Sequence, residues 1–171
     1  MDCVLIQDSI LNCQVDAIVN PANPQLLRGG GLSGIIHEAA GDQLFEHLKL
    51  WKRENKIPAL QHGEAIISPS FNLPHKHIIH AVGAVWRDGT EEEKELLETC
   101  YLNCLRLADK HQLLSIAFPN ISTGIYGFPK DVAAPVAISV VRSYESVSLQ
   151  EVVFACYDEE NHQLYKSLLI H

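Results

Sequence analysis

Val15-Asp16-Ala17-Ile18-Val19-Asn20-Pro21-Ala22-Asn23 and, shortly after, Gly29-Gly30-Gly31-Leu32-Ser33-Gly34 decide how this chain is read. The first run is apolar and β-branched, as a buried strand is, and it ends in a loop containing Pro and two Asn. Behind the glycines Ile35, Ile36, Ala39, Ala40 and Leu44 recur at helical spacing, so a helix opens directly after them. The same succession appears again further on. Ser115-Ile116-Ala117-Phe118-Pro119 leads through Asn120-Ile121-Ser122-Thr123-Gly124-Ile125-Tyr126-Gly127-Phe128 to Pro129, a residue well placed to start a helix.

Working outward, Val4-Leu5-Ile6, Ala65-Ile66-Ile67, Ile78-Ile79-His80-Ala81-Val82 and Val152 to Cys156 read as further strands. Thr90 followed by Glu93 has the form of a capping box. Leu97, Cys100, Tyr101, Cys104, Leu105 and Ala108 then mark one face of a helix that should run to about Lys110, and Glu159 to Ile170 reads as a short closing helix. Alternating strands and helices argue for an α/β domain with a mostly parallel sheet and helices on both faces. Such sheets bind ligands at the carboxyl ends of their strands, where the Asn20 loop and both glycine loops fall.

Composition narrows the function. The 171 residues are read as one domain over 1–171, with 47% hydrophobic and 20% charged residues, the balance of an ordinary globular protein. No stretch approaches the ~20 apolar residues of a membrane span and the N-terminus lacks signal-peptide character, so a cytoplasmic protein, or one that reaches the nucleus, is expected. Thirteen Lys plus Arg against 21 Asp plus Glu leave a net charge of −8, which opposes association with nucleic acid or an anionic membrane. A phosphorylated ligand would have to be held largely by backbone N–H groups and helix N-termini. Cys3, Cys13, Cys100, Cys104 and Cys156 read as buried reduced thiols; Cys100 and Cys104, four apart on a helix, could be two metal ligands, but no second Cys or His pair stands at zinc-site spacing nearby. No metal and no cofactor is expected.

The residues able to carry chemistry cluster in the same loops. Gly29, Gly30, Gly31 and Leu32 open a helix whose free N–H groups and dipole favour an anion, or they form a purely structural turn. Ser122, Thr123, Gly124, Ile125 and Tyr126 make a second such loop. The carboxamides of Asn20 and Asn23 can orient a sugar's hydroxyls or close an Asx-type turn. His37 shares a helix face with Ser33, and His80, inside an apolar strand, reads as structural. Tyr157 ends the last strand, where an aromatic can stack on a base or pack into the core.

Together these segments resemble the macrodomain family, especially its MacroD-type branch, across nearly the whole chain. The matching motifs are Val15 to Asn23, Gly29-Gly30-Gly31-Leu32-Ser33-Gly34-Ile35-Ile36-His37-Glu38-Ala39-Ala40-Gly41, His77-Ile78-Ile79-His80-Ala81-Val82-Gly83 and Phe118 to Pro129, in that order. The resemblance implies a three-layer α/β/α fold with a mixed, mostly parallel central sheet. It further implies an ADP-ribose site with the diphosphate between the loops at Gly29–Gly34 and Ser122–Tyr126. Asn23 and, less directly, Asn20 would meet the distal ribose, Tyr157 would pack on the adenine, and His37 would lie near the catalytic position.

Two positions depart from the family pattern. Where macrodomains commonly have Gly-Asp-Ile-Thr, this chain has Asp8-Ser9-Ile10-Leu11, which puts Ser9 at the position of the Asp that bonds the adenine, so either adenine selectivity is reduced or Asp8 substitutes. Ser33 stands where the MacroD-type branch has an Asp thought to position water. By resemblance the expected activity is hydrolysis of ADP-ribosyl groups from acidic protein side chains, or deacetylation of O-acetyl-ADP-ribose, with Asn23, Ser33 and His37 at the reacting end. A reader module without turnover is the alternative, and RNA or nucleotide binding a weaker one. The expected partners are ADP-ribose and ADP-ribosylated proteins, met by a monomer.

Overall fold

A computed structural model describes residues 1–170. Six strands form one sheet: β1 (Asp2–Ile6), β2 (Ala17–Pro21), β3 (Ala65–Pro69), β4 (His77–Ala81), β5 (Ser115–Phe118) and β6 (Glu151–Ala155). Their order is β1-β6-β5-β2-β4-β3, parallel throughout except for β3, which runs antiparallel to β4. The sheet is thus mixed and mostly parallel, and the fold is α/β. Five α-helices cover it: α1 (Gly31–Ala40), α2 (Asp42–Asn55), α3 (Glu91–Lys110), α4 (Lys130–Ser143) and α5 (Glu159–Leu169). No described helix is long and apolar enough to cross a membrane.

The period of two along the strands sends alternate side chains into two separate cores. Ala17, Val19, Ile79, Ile116, Phe118 and Phe154 pack with apolar residues of α3, α4 and α5 on one face. Ile18, Ile78, Ala117 and Val153 pack with Ile36 and Ala40 of α1 and Leu44 and Leu48 of α2 on the other. The result is three layers, with both faces of the parallel strands dry, which is why those strands read as continuous apolar runs.

The helix expected behind the glycines is two helices. Gly41 lies between them at φ +93°, a conformation that ends a helix and that glycine adopts freely, and a Cβ there would stand 2.6 Å from Asn72 Nδ2. Leu44 therefore belongs to α2. The capping box of α3 is present, with Thr90 Oγ1 accepting from Glu93 N and the Glu93 carboxylate accepting in return from Thr90 N, and the helix ends at Lys110. Four cysteines are buried and all five are free.

Candidate functional site

The parallel strands β1, β6, β5 and β2 are neighbours, so the loops at their carboxyl ends emerge side by side along one edge. With strands about 4.8 Å apart, four in a row carry this line of loops about 14 Å across the sheet. In spatial order the loops hold Asp8, Ser9 and Ile10 after β1, Tyr157 after β6, residues 119–129 after β5, and Ala22 to Gly30 after β2.

The β5 loop closes on itself at its ends. Gly127 N donates to Gly124 O at 3.0 Å, Phe128 N to Ser122 O at 2.9 Å, and Trp86 N reaches across to Tyr126 O at 2.8 Å. Among the described residues, none of the N–H groups from Ser122 to Tyr126 donates to another backbone carbonyl. Ser122 adopts φ +69°, a left-handed conformation sparsely populated by non-glycine residues, and such turns point successive N–H groups inward as an anion-binding concavity. Its Oγ is buried without a partner. Thr123 Oγ1 is committed to Asn120 O at 3.0 Å, and Ile125 is 98% exposed, so only main chain is available at the centre of this loop.

Facing it from the adjacent strand, α1 begins with Gly30 as its cap and Gly31 at φ +55°. The N–H groups of Gly31, Leu32 and Ser33 have no intrahelical acceptor. A Cβ on Gly34 would lie 2.5 Å from Gly29 O, so the close approach of loop to helix permits no side chain there. Arg28 pairs with Glu38 at 3.2 Å, and Lys130 pairs with Asp158 at 3.3 Å and Glu160 at 2.9 Å. The cations flanking the two loops are occupied, leaving main-chain donors to meet an anion.

Asn23 is clamped: its Nδ2 donates to Leu27 O at 2.8 Å while its Oδ1 accepts from Leu27 N at 3.0 Å. The carboxamide closes a turn, as one of the two sequence readings had it, and still retains a second N–H and a second lone pair. A Cβ on Gly29 would sit 3.6 Å from Asn23 Nδ2 and 4.0 Å from Ser33 Oγ, which locates both polar groups around that glycine. Ser33 is buried and its Oγ is unpartnered. His37, one turn on, is buried, its ring edge-on to that of His80 at 6.1 Å, and burial, with Arg28 adding, lowers its pKa below the usual value for histidine. It is therefore neutral and faces the protein interior.

At the other end of the edge, Ser9 caps a single 3-10 turn, its Oγ accepting from Leu11 N at 3.3 Å. Asp8 is exposed, with Oδ1 accepting from Ser9 N at 2.6 Å and Asn12 Nδ2 at 3.0 Å, so of the two candidates it is Asp8 that keeps a free carboxylate oxygen. The side chain of Ile10 is core, which leaves its main chain to meet a ligand. Tyr157 is 79% exposed rather than packed inside. Sequence reasoning gave no role to Trp86, which ties the β4 loop to the β5 loop, and none to Ser68, which pairs with His80; no local pattern marks either. A shallow hollow of about 280 Å³ lined by Glu64, Ala65, Asn103, Arg106, Leu107 and Lys110 lies apart from this edge and gathers none of the candidate residues.

Comparison with known proteins bears on this arrangement. The family model described as Macro domain matches residues 19–137. The chain is 45% identical over 173 residues to a Macro domain-containing protein of Listeria monocytogenes, covering 99% of this chain and 97% of that one. It is 47% identical over 167 residues to the O-acetyl-ADP-ribose deacetylase of Salmonella typhimurium, covering 96% and 92%. Among solved structures, an Oceanobacillus iheyensis macrodomain mutant with ADPR superposes with a TM-score of 0.92 at 36% identity, covering 97% of this chain and 90% of that one. A Trypanosoma brucei macrodomain in complex with ADP-ribose gives 0.86 at 32% identity, covering 98% and 68%.

Proposed function

This chain belongs to the Macro domain family, and on that premise we propose that its row of loops binds ADP-ribose and that the protein hydrolyses carboxylic esters of the distal ribose. The substrate class comprises O-acetyl-ADP-ribose and ADP-ribosyl groups on acidic protein side chains, met by residues 1–171 acting as one domain and as a monomer. A cytoplasmic or nuclear site of action accompanies this reading.

The observation that carries it is the run of uncommitted N–H groups from Ser122 to Tyr126 together with the open first turn of α1, the segments that follow the paired parallel strands β5 and β2. Two such donor sets, with the nearby cations already paired, suit a diphosphate more than a single phosphate. The adenine then falls toward β1 and β6, on Tyr157 with Asp8 at its edge, and the distal ribose toward Asn20 and Asn23. In deacetylation a water oxygen bonds to the acyl carbon as the ester C–O bond breaks; the ribose oxygen leaves with a proton and acetate departs. The protein's part is positioning. Asn23 holds the sugar and Ser33 Oγ holds the water, whose orientation comes from the substrate's own phosphate. His37, buried and neutral, supports the first turn of α1 from behind.

A reader without turnover is the second reading, favoured by the absence of any acidic residue in the first turn of α1. One experiment separates them. Calorimetry with ADP-ribose, AMP and oligo(A) is followed by incubation with O-acetyl-ADP-ribose and with a protein ADP-ribosylated on acidic side chains. Preferential binding of ADP-ribose with release of acetate or free ADP-ribose is expected. Binding without product leaves the reader standing, and no binding of ADP-ribose overturns both.

A further inference from the structure

Beneath α1 a chain of buried polar side chains runs through strands that are otherwise apolar. Ser68 of β3, His80 of β4 and Asn20 of β2 occupy successive strands, with His80 directly opposite Asn20 in the β2–β4 register. Ser68 Oγ lies 2.8 Å from His80 Nε2, and His80 Nδ1 lies 3.0 Å from Asn20 Nδ2. Asn20 and His80 are completely buried and Ser68 is 2% exposed.

One direction along this chain fits every contact. With the Ser68 hydroxyl hydrogen on Pro69 O at 3.0 Å, the Ser68 oxygen accepts from His80 Nε2–H, whereas the reverse direction, with Ser68 donating to Nε2, would need the Asn20 carboxamide turned over. In a neutral imidazole Nδ1 is then an acceptor, and it takes an N–H from Asn20 Nδ2. Burial, reinforced by His37 and His47, pushes the His80 pKa down to about 3, which keeps the ring neutral. The Asn20 carboxamide is thereby held in one of its two orientations, and its Oδ1, turned from His80, is buried without a partner. A buried acceptor left unpaired is destabilising, and a donor brought by a ligand would relieve that cost.

The place of that oxygen says which part of a ligand. Asn20 shares the α1-side face of β2 with Ile18 and sits three residues before Asn23, while Ser33, one turn ahead of the His37 ring that packs on His80, also has an unpartnered hydroxyl. We propose that Ser68 and His80 are positioning residues for the distal ribose, holding the Asn20 carboxamide so that Oδ1 accepts a hydrogen bond from a ribose hydroxyl and favours ADP-ribose over ADP. This inference rests on the reading that the loop edge binds ADP-ribose.

ADP lacks the distal ribose, so the ratio of the two affinities separates positioning from a merely structural role, which would weaken both ligands alike. By calorimetry Asn20→Leu is expected to weaken ADP-ribose about tenfold and Ser68→Ala about fivefold, the scale of one hydrogen bond, with ADP changed less than about twofold. Ser68→Thr, which restores the hydroxyl, should return the ratio to that of the wild type. In the wild type itself, nitrogen-15 NMR of the histidines should show His80 as the Nε2–H tautomer from about pH 5 to pH 8. An Nδ1–H tautomer overturns the inference whether or not any variant folds. Failure of the wild type to bind ADP-ribose sinks the parent reading and this one with it. Binding by the wild type with an unchanged ADP-ribose-to-ADP ratio in folded Ser68→Ala sinks this one alone.

Discussion

The two ends of the sheet treat polar groups in opposite ways. At the amino ends of the strands, carboxylates are saturated with donors. Asp109, at the end of α3, accepts from Tyr144 Oη at 2.7 Å, Ser146 Oγ at 2.5 Å, Ser148 Oγ at 2.9 Å, Ser148 N at 3.0 Å and Val147 N at 3.2 Å. Asp16, just before β2, accepts from Leu114 N at 2.8 Å and pairs with Lys76 at 3.3 Å. At the carboxyl ends the balance differs: backbone donors from Ser122 to Tyr126 are uncommitted, and Asn20, Ser33 and Ser122 each bury a polar atom without a partner, as His75, just before β4, also does with its Nδ1. One end spends its hydrogen bonds on holding the chain together. The other leaves main-chain donors without a partner in the chain, which is what the proposed diphosphate site requires.

If that contrast is right, the two ends can be damaged separately. The largest effect is expected from Gly124→Glu. The position is not in the left-handed region and a Cβ there meets nothing within 4 Å, so the fold should tolerate it. A carboxylate set against a diphosphate should weaken ADP-ribose by about a hundredfold or more, since a like-charge contact costs several kcal/mol. Calorimetry and a melting curve on the same sample check both halves, and an unchanged affinity would remove this loop from the site.

The converse variant, Asp109→Ala, should cost about 2–3 kcal/mol of stability by stripping the acceptor from several donors while leaving ADP-ribose affinity unaltered. Its pH dependence sharpens the point. Burial works to raise the Asp109 pKa, but hydrogen bonds from Ser146, Tyr144, Ser148 and Val147 outweigh it and hold the carboxyl below its ordinary range. A depressed folded pKa contributes stability that is complete above the unfolded value of about 3.9 and is lost as pH falls toward the folded one. Denaturant titrations of wild type and Asp109→Asn should therefore differ by a constant amount above about pH 5 and converge in more acidic solution. A gap that stays constant to the lowest pH at which both fold would mean that Asp109 is not the acid-sensitive tie.

The smallest effect belongs to Ser33→Ala. Its hydroxyl is buried and unpartnered, so removal should leave stability within about 0.5 kcal/mol of wild type or slightly raise it. If the substrate phosphate does most of the orienting of water, single-turnover hydrolysis should fall only about threefold, on the scale of a single weak hydrogen bond. A loss beyond about a hundredfold would make Ser33 an essential group and contradict the phosphate-oriented scheme.

Much of this was legible in the linear sequence because it is local. Short apolar, β-branched runs mark the strands and period-3.6 patterning the helix faces, the Thr90 and Glu93 pair announces the start of α3, and two strand-to-helix passages through glycine place both loops at the carboxyl edge. What escaped depends on contacts between distant residues. That no side chain fits at Gly41 follows from Asn72 beside it, and Asn23 could equally have closed a turn or faced a sugar until its bonds to Leu27 were seen. His80 read as an isolated histidine in an apolar strand because its partners, Asn20 and Ser68, lie 60 and 12 residues away.

By itself, then, the sequence determined the kind of each element, the order in which they follow and the chemistry of the loops between them, since these depend on neighbours within a turn or two. Tertiary structure alone decided that β6 lies between β1 and β5, that β3 runs against the rest, and that four loops stand in one line. It also decided which polar atoms are satisfied and which are left waiting. A hydrogen bond is settled by where its partner stands in space, and that position is set only when the whole sheet has closed around its two cores.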